Sequence, residues 1–179
     1  MKHLWTGMLL AGCLGLSTQV AAEDVGGERK SCQAITISTT PETRATLRPI
    51  FHTRQVLDLN LSVVFPSDRQ FLAGETIVLR FFTPTGHIYQ EMTIPVGLPG
   101  TTPRERELTG YPFPVAEATP RERFLRTEAG GEWILAVAAP PLPIAGTSIT
   151  NNSLYGVWRA EAWSQGSSRA CQVSFQIAP

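Results

Sequence analysis

Beyond residue 22 the chain has one lysine, Lys30, two histidines, His52 and His87, and three aspartates, Asp24, Asp58 and Asp68. The two histidines lack any partner at the short spacings that make a metal pair, and the aspartates show no D-x-D-x-D calcium pattern. There is no G-x-S-x-G, so Gly146-Thr147-Ser148 reads as a loop and not as a hydrolase nucleophile. Asp58 and Glu161 fall on polar strand faces, where solubility alone would put them, which leaves no carboxylate pair for glycoside hydrolysis. The expectation is therefore no catalytic residue, no metal site and no cofactor. Charge is also balanced, with Lys+Arg at 15 and Asp+Glu at 15. That balance leaves no electrostatic footprint for nucleic acid or an anionic membrane. No segment sustains helical periodicity, and no apolar run beyond the first residues is long enough to span a bilayer.

What is present begins with an export layout. Lys2 and His3 precede an uncharged stretch over residues 4–20, and Val20-Ala21-Ala22 supplies small residues ahead of Glu23-Asp24. Residues 1–22 are expected to be a signal peptide, followed by a flexible leader over 23–31 and one domain over 32–179. Leu10-Ala11-Gly12-Cys13 offers an alternative, a lipobox with a lipid anchor at Cys13. With Cys13 in the leader, only Cys32 and Cys171 remain, an even pair in a compartment where disulfides persist. They are expected to bond and tie the first strand to the last.

The apolar residues alternate at period 2 in several stretches. Leu57, Leu59, Leu61, Val63 and Phe65 form one apolar face, and Ile77, Leu79 and Phe81 form another. Pro84-Thr85-Gly86 is a turn, so residues 76–96 read as a hairpin. Val78 and Phe82 lie opposite the Leu79 face, which suggests a hairpin covered in part on both sides. Residues 132–138 read as a buried strand including Trp133, stopped by Pro140-Pro141. The last hairpin, residues 154–177, sets Trp158, Ala160 and Ala162 against Arg159, Glu161 and Trp163, then Cys171, Val173, Phe175 and Ile177 against polar residues.

Between these lies a long connector, residues 97–131, with Pro99, Pro103, Pro112, Pro114 and Pro120. It carries Thr-Pro-Arg-Glu-Arg twice, at 102–106 and 119–123, and the extended stretch Tyr111-Pro112-Phe113-Pro114 presents two rings.

Strands of this size and spacing, with Gly156-x-Trp158 opening the penultimate strand and Val173-x-Phe175-x-Ile177 in the last, resemble bacterial immunoglobulin-like domains. The resemblance implies an all-β, immunoglobulin-like antiparallel β-sandwich of seven or eight strands and no helix, and carries no activity of its own. The expected role is an exported, periplasmic or secreted, non-catalytic module that contacts other proteins of the envelope or cell surface. Tyr111, Phe113 and Trp163 are the candidate contact residues. Trp163 also reads as a ring covered by the connector or the leader. The alternative is a carbohydrate-binding module in which Trp163 and Tyr155 are platforms for an extended polysaccharide.

Overall fold

A computed structural model describes residues 32–39, 49–98, 102, 104–106, 114–127, 130–167 and 170–179. The twelve strands are β1 (Ala34–Ser38), β2 (Ile50–His52), β3 (Asp58–Pro66), β4 (Thr76–Phe82), β5 (Ile88–Pro95), β6 (Glu105–Arg106), β7 (Val115–Ala116), β8 (Arg121–Thr127), β9 (Gly130–Ala138), β10 (Leu142–Pro143), β11 (Gly156–Ser164) and β12 (Cys171–Ala178). Sheet I runs β1-β3-β9-β8, with β10 also on β3. Sheet II runs β2-β12-β11-β4-β5, and β6 pairs with β7 apart from both. Pairing is antiparallel except where β2 lies parallel to β12.

The alternation read in the sequence places the core. Ile35, Ile37, Leu59, Leu61, Val63, Phe65 and Val137 from sheet I meet Ile77, Leu79, Phe81, Met92, Ile94, Phe175 and Ile177 from sheet II in one buried cluster. This is the two-sheet arrangement of a β-sandwich. Trp158 is the largest side chain buried in full. Its indole N–H donates to the Leu154 carbonyl at 2.8 Å, so burial leaves no polar orphan. Tyr89 packs edge-on to it at 5.1 Å, and Phe175 stacks against it at 6.4 Å.

The Cys32–Cys171 disulfide forms, with the Cα atoms 5.8 Å apart. Cys32 leads into β1 of sheet I and Cys171 opens β12 of sheet II, so the bond joins the two layers at one end of the core.

Several expectations need correction. Leu57 is not on the apolar face: it is 75% exposed, because β3 starts one residue later and the Leu57 carbonyl turns to accept the N–H groups of Ile144 and Ala145. Val64, which alternation sets on the opposite face of β3, is buried as well. The strand number exceeds seven or eight because β2, β6, β7 and β10 hold only two or three residues each. Such short pieces exist by pairing and leave no periodicity to read. One helical turn, α1 (Ser148–Asn151), stands where a loop was expected, with Thr147 Oγ1 accepting the Ile149 N–H as its cap.

The connector holds the largest difference. Its second charged repeat leads straight into β8, which pairs along its whole length with β9. Its best local composition is helical, and the ladder offered by β9 overrides it.

The loop between β3 and β4 is closed by a feature the sequence does not signal. Arg69 donates to Glu75 with both side chains buried, and the same carboxylate accepts the Leu72 N–H at 3.0 Å. The Arg69 guanidinium also lies 4.9 Å from the Phe71 ring, and Phe71 packs edge-on to Phe65. The pair fixes the loop against the end of the core.

Candidate contact surfaces

The groups weighed for catalysis or metal binding are scattered. His52 Nδ1 lies 3.3 Å from the Pro179 carbonyl oxygen, whereas His87 Nδ1 meets Thr85 Oγ1 at 3.0 Å in the β4–β5 turn. Glu161 pairs with Arg159 at 3.3 Å on the outside of sheet II, and Asp58 opens β3 in sheet I. Among the described residues no three His, Cys, Asp or Glu side chains gather as a metal site. No described helix is long and apolar enough to cross a membrane.

The outer face of sheet II is more organised. Registry of β11 with β4 sets Trp163 opposite Val78, Glu161 opposite Arg80, and Arg159 opposite Phe82. The Arg80 guanidinium lies 5.0 Å over the Trp163 ring and donates to Glu91 at 2.5 Å. The Arg159 guanidinium lies 4.2 Å over the Phe82 ring while holding Glu161. Each arginine therefore has a ring and a carboxylate, which fixes long side chains that would otherwise be mobile. This also answers the question raised by Val78 and Phe82: side chains of the same sheet partly cover them.

Past this row the same face turns apolar. Ile50 and Val157 are 57% and 62% exposed, and both lie in register with Gln176 of β12. They line a shallow cavity of about 530 Å³ together with Ser174, Phe175 and Gln176. Ile88 of β5, paired with Phe82, is 56% exposed at the edge of the sheet.

Tyr111 and Phe113 lie outside the described residues. The connector near them is attached to sheet II: Ala118 bridges Val96 in parallel, donating to the Pro95 carbonyl at 3.0 Å and accepting from Gly97 N–H at 3.1 Å. A cavity of about 730 Å³ opens there, with Gly74, Pro95, Val96, Leu98, Arg104 and Glu117 in its wall. Tyr155 is half-buried, packs against the core and precedes β11, so it does not share an open strand face with Trp163.

The residue pair missed in the sequence is Phe124 with Trp133. Trp133 was expected in the core and is instead 60% exposed, with its ring 5.5 Å from that of Phe124, itself 51% exposed. The reason is the reach of β3. Its pairing with β9 ends at Ile134, so among the described residues the rest of β9 toward Gly130 pairs with β8 alone. Parity puts Trp133 on the side of Leu135 and Val137, but the strand next to it has stopped. A Gly-Gly start to a strand, Gly130-Gly131, is the one sequence sign that the run is not buried from its first residue.

No protein-family model, no curated protein and no solved structure matches this chain.

Proposed function

We propose that this chain is an exported, non-catalytic, immunoglobulin-like module that works by protein–protein contact in a bacterial envelope or at the cell surface. The strand orders support the immunoglobulin part of the reading. In order across each sheet, β1, β3, β9 and β8 correspond to strands A, B, E and D, while β12, β11 and β4 correspond to G, F and C. The inter-sheet disulfide fits an oxidising compartment.

The contact part rests on one observation, the outer face of sheet II. Trp and Arg are the side chains that dominate interface energetics, and here Trp163, Arg80 and Arg159 are already held by stacking and ion pairs. Binding through them would cost little side-chain entropy. The exposed Ile50, Val157 and Ile88 extend that face with apolar area. The polysaccharide alternative has less support, since Arg80 stands over the Trp163 ring and Tyr155 is half-buried against the core.

Affinity capture from envelope extracts tests the proposal with three baits: the native chain, Arg159→Glu with Trp163→Ala, and Tyr111→Ser with Phe113→Ser. Substitution is preferable to removing the connector, which would also delete β8. The expected result is a defined partner lost with the sheet II bait. Recovery that is unchanged by that bait would contradict the assignment of the face.

A further inference from the structure

The disulfide ties together two strands that the rest of the fold holds unequally. Cys171 opens β12, which pairs with β11 from Cys171 opposite Ala162 to Ile177 opposite Gly156 and sets Phe175 against Trp158. Cys32 precedes β1, which is five residues long and pairs, among the described strands, with β3 alone. β1 gives the core two isoleucines, Ile35 and Ile37, where β3 gives it Leu59, Leu61, Val63 and Phe65. The next described strand, β2, has three residues and lies in the other sheet. No long strand therefore precedes β3 to hold β1 from its far end.

A strand with few apolar contacts opens locally before the domain unfolds, and one near a chain end can peel from its free side. The bond closes that route. Gln33 N–H donates to the Val64 carbonyl at 2.7 Å where β1 begins to follow β3, and Cys32, the residue before it, is clamped to sheet II. With the bond in place, β1 is fixed at the end from which it would peel. Without the bond, two isoleucines and a five-residue ladder stand alone against the entropy of ordering the segment.

We propose that the Cys32–Cys171 bond is a redox latch on β1: thiol–disulfide exchange with a dithiol frees this strand and uncovers the edge of β3, while the rest of the sandwich stays folded. In the exchange one thiolate of the dithiol attacks a cysteine sulfur and its second thiol resolves the mixed disulfide. The dithiol is thereby oxidised to a disulfide, and Cys32 and Cys171 become two thiols. Release leaves residues 60–64 of β3 with a row of unpaired backbone groups and empties the core sites of Ile35 and Ile37. The oxidised chain keeps that edge closed.

Hydrogen exchange followed by mass spectrometry, on the protein with and without dithiothreitol, reads the release strand by strand. After reduction residues 34–38 are expected to exchange at least about tenfold faster, with the β3 amides that face them following, while residues 158–162 of β11 change far less. The near-ultraviolet circular dichroism of the buried Trp158 should persist. Cys32→Ser with Cys171→Ser should show the same pattern with no reductant present. A β1 that stays as protected in the reduced chain as in the oxidised one overturns the proposal. So does loss of protection in every strand together, or loss of the Trp158 signal, since the bond would then hold the whole sandwich and not one strand.

Discussion

Two tryptophans lie outside the core, and their surroundings differ. Trp163 lies near the end of β11, one residue past its pairing with β12, but β4 continues beside it and an arginine from β4 stands over its ring. Trp133 lies where β9 has outrun β3, with β8 as its single paired strand and one exposed phenylalanine for company. Strand parity alone would reverse their assignment, putting Trp133 inside and Trp163 outside. Each ring lies just past the pairing with one neighbouring strand, so what decides exposure is the side chain that the remaining neighbour offers. Arg80 of β4 covers Trp163, whereas the exposed Phe124 of β8 leaves Trp133 bare.

The third tryptophan sets the upper end of this scale. Trp158→Ala should cost about 3 to 5 kcal/mol, the range for emptying a large aromatic site, because it removes a fully buried side chain and the Tyr89 and Phe175 contacts with it. Urea unfolding would measure the loss, and a cost under about 1 kcal/mol would mean the core is centred elsewhere. Breaking the Arg69–Glu75 pair with Arg69→Met is expected to be nearly as severe, about 3 to 5 kcal/mol, since it strands a buried carboxylate. Arg69→Met with Glu75→Leu should recover a large part of that, which separates the charge effect from the packing of Phe71.

Smaller effects follow for the disulfide and the two outward rings. Cys32→Ser with Cys171→Ser should fold with stability lowered by about 2 to 5 kcal/mol, the bond closing a sequence separation of 139 residues. A melting temperature equal to the native one would show that the bond does not restrain the unfolded chain. Trp163→Ala should cost about 1 kcal/mol through its lost packing and the Arg80 stack, and Arg80→Ala a similar amount. Trp133→Ser should change stability by less than about 0.5 kcal/mol, as surface changes do. Acrylamide quenching of single-tryptophan variants sharpens the contrast, with Trp133 quenched most, Trp163 less and Trp158 least. Equal quenching of Trp133 and Trp163 would break it.

Strands with neighbours on both sides were legible in the sequence. Residues 59–65, 77–81, 158–162 and 171–177 each present one face to the opposite sheet, so period-2 patterning survives in them. The edges were not. β8 is charged and flanked by proline, and β2 and β10 exist because β12 and β3 offer them hydrogen bonds. The disulfide was readable because only two cysteines follow the leader. The Arg69–Glu75 pair was not, since nothing in six residues of loop says that both charges turn inward. At the contact surface, the outward direction of Trp163 followed from alternation. Its cation partner did not, because that needs the register between β4 and β11, which lie far apart in sequence.

The outer face of sheet II carries the functional account, and cross-linking from its centre tests that most directly. A photoreactive residue replacing Ser174, an exposed position on β12 beside Arg159, is expected to give a discrete adduct with another envelope protein in intact cells. The same group at Thr36, on the polar face of β1 in sheet I, should give none. Adducts that are absent at Ser174, or that match those at Thr36, would contradict the assignment of this face as the contact surface.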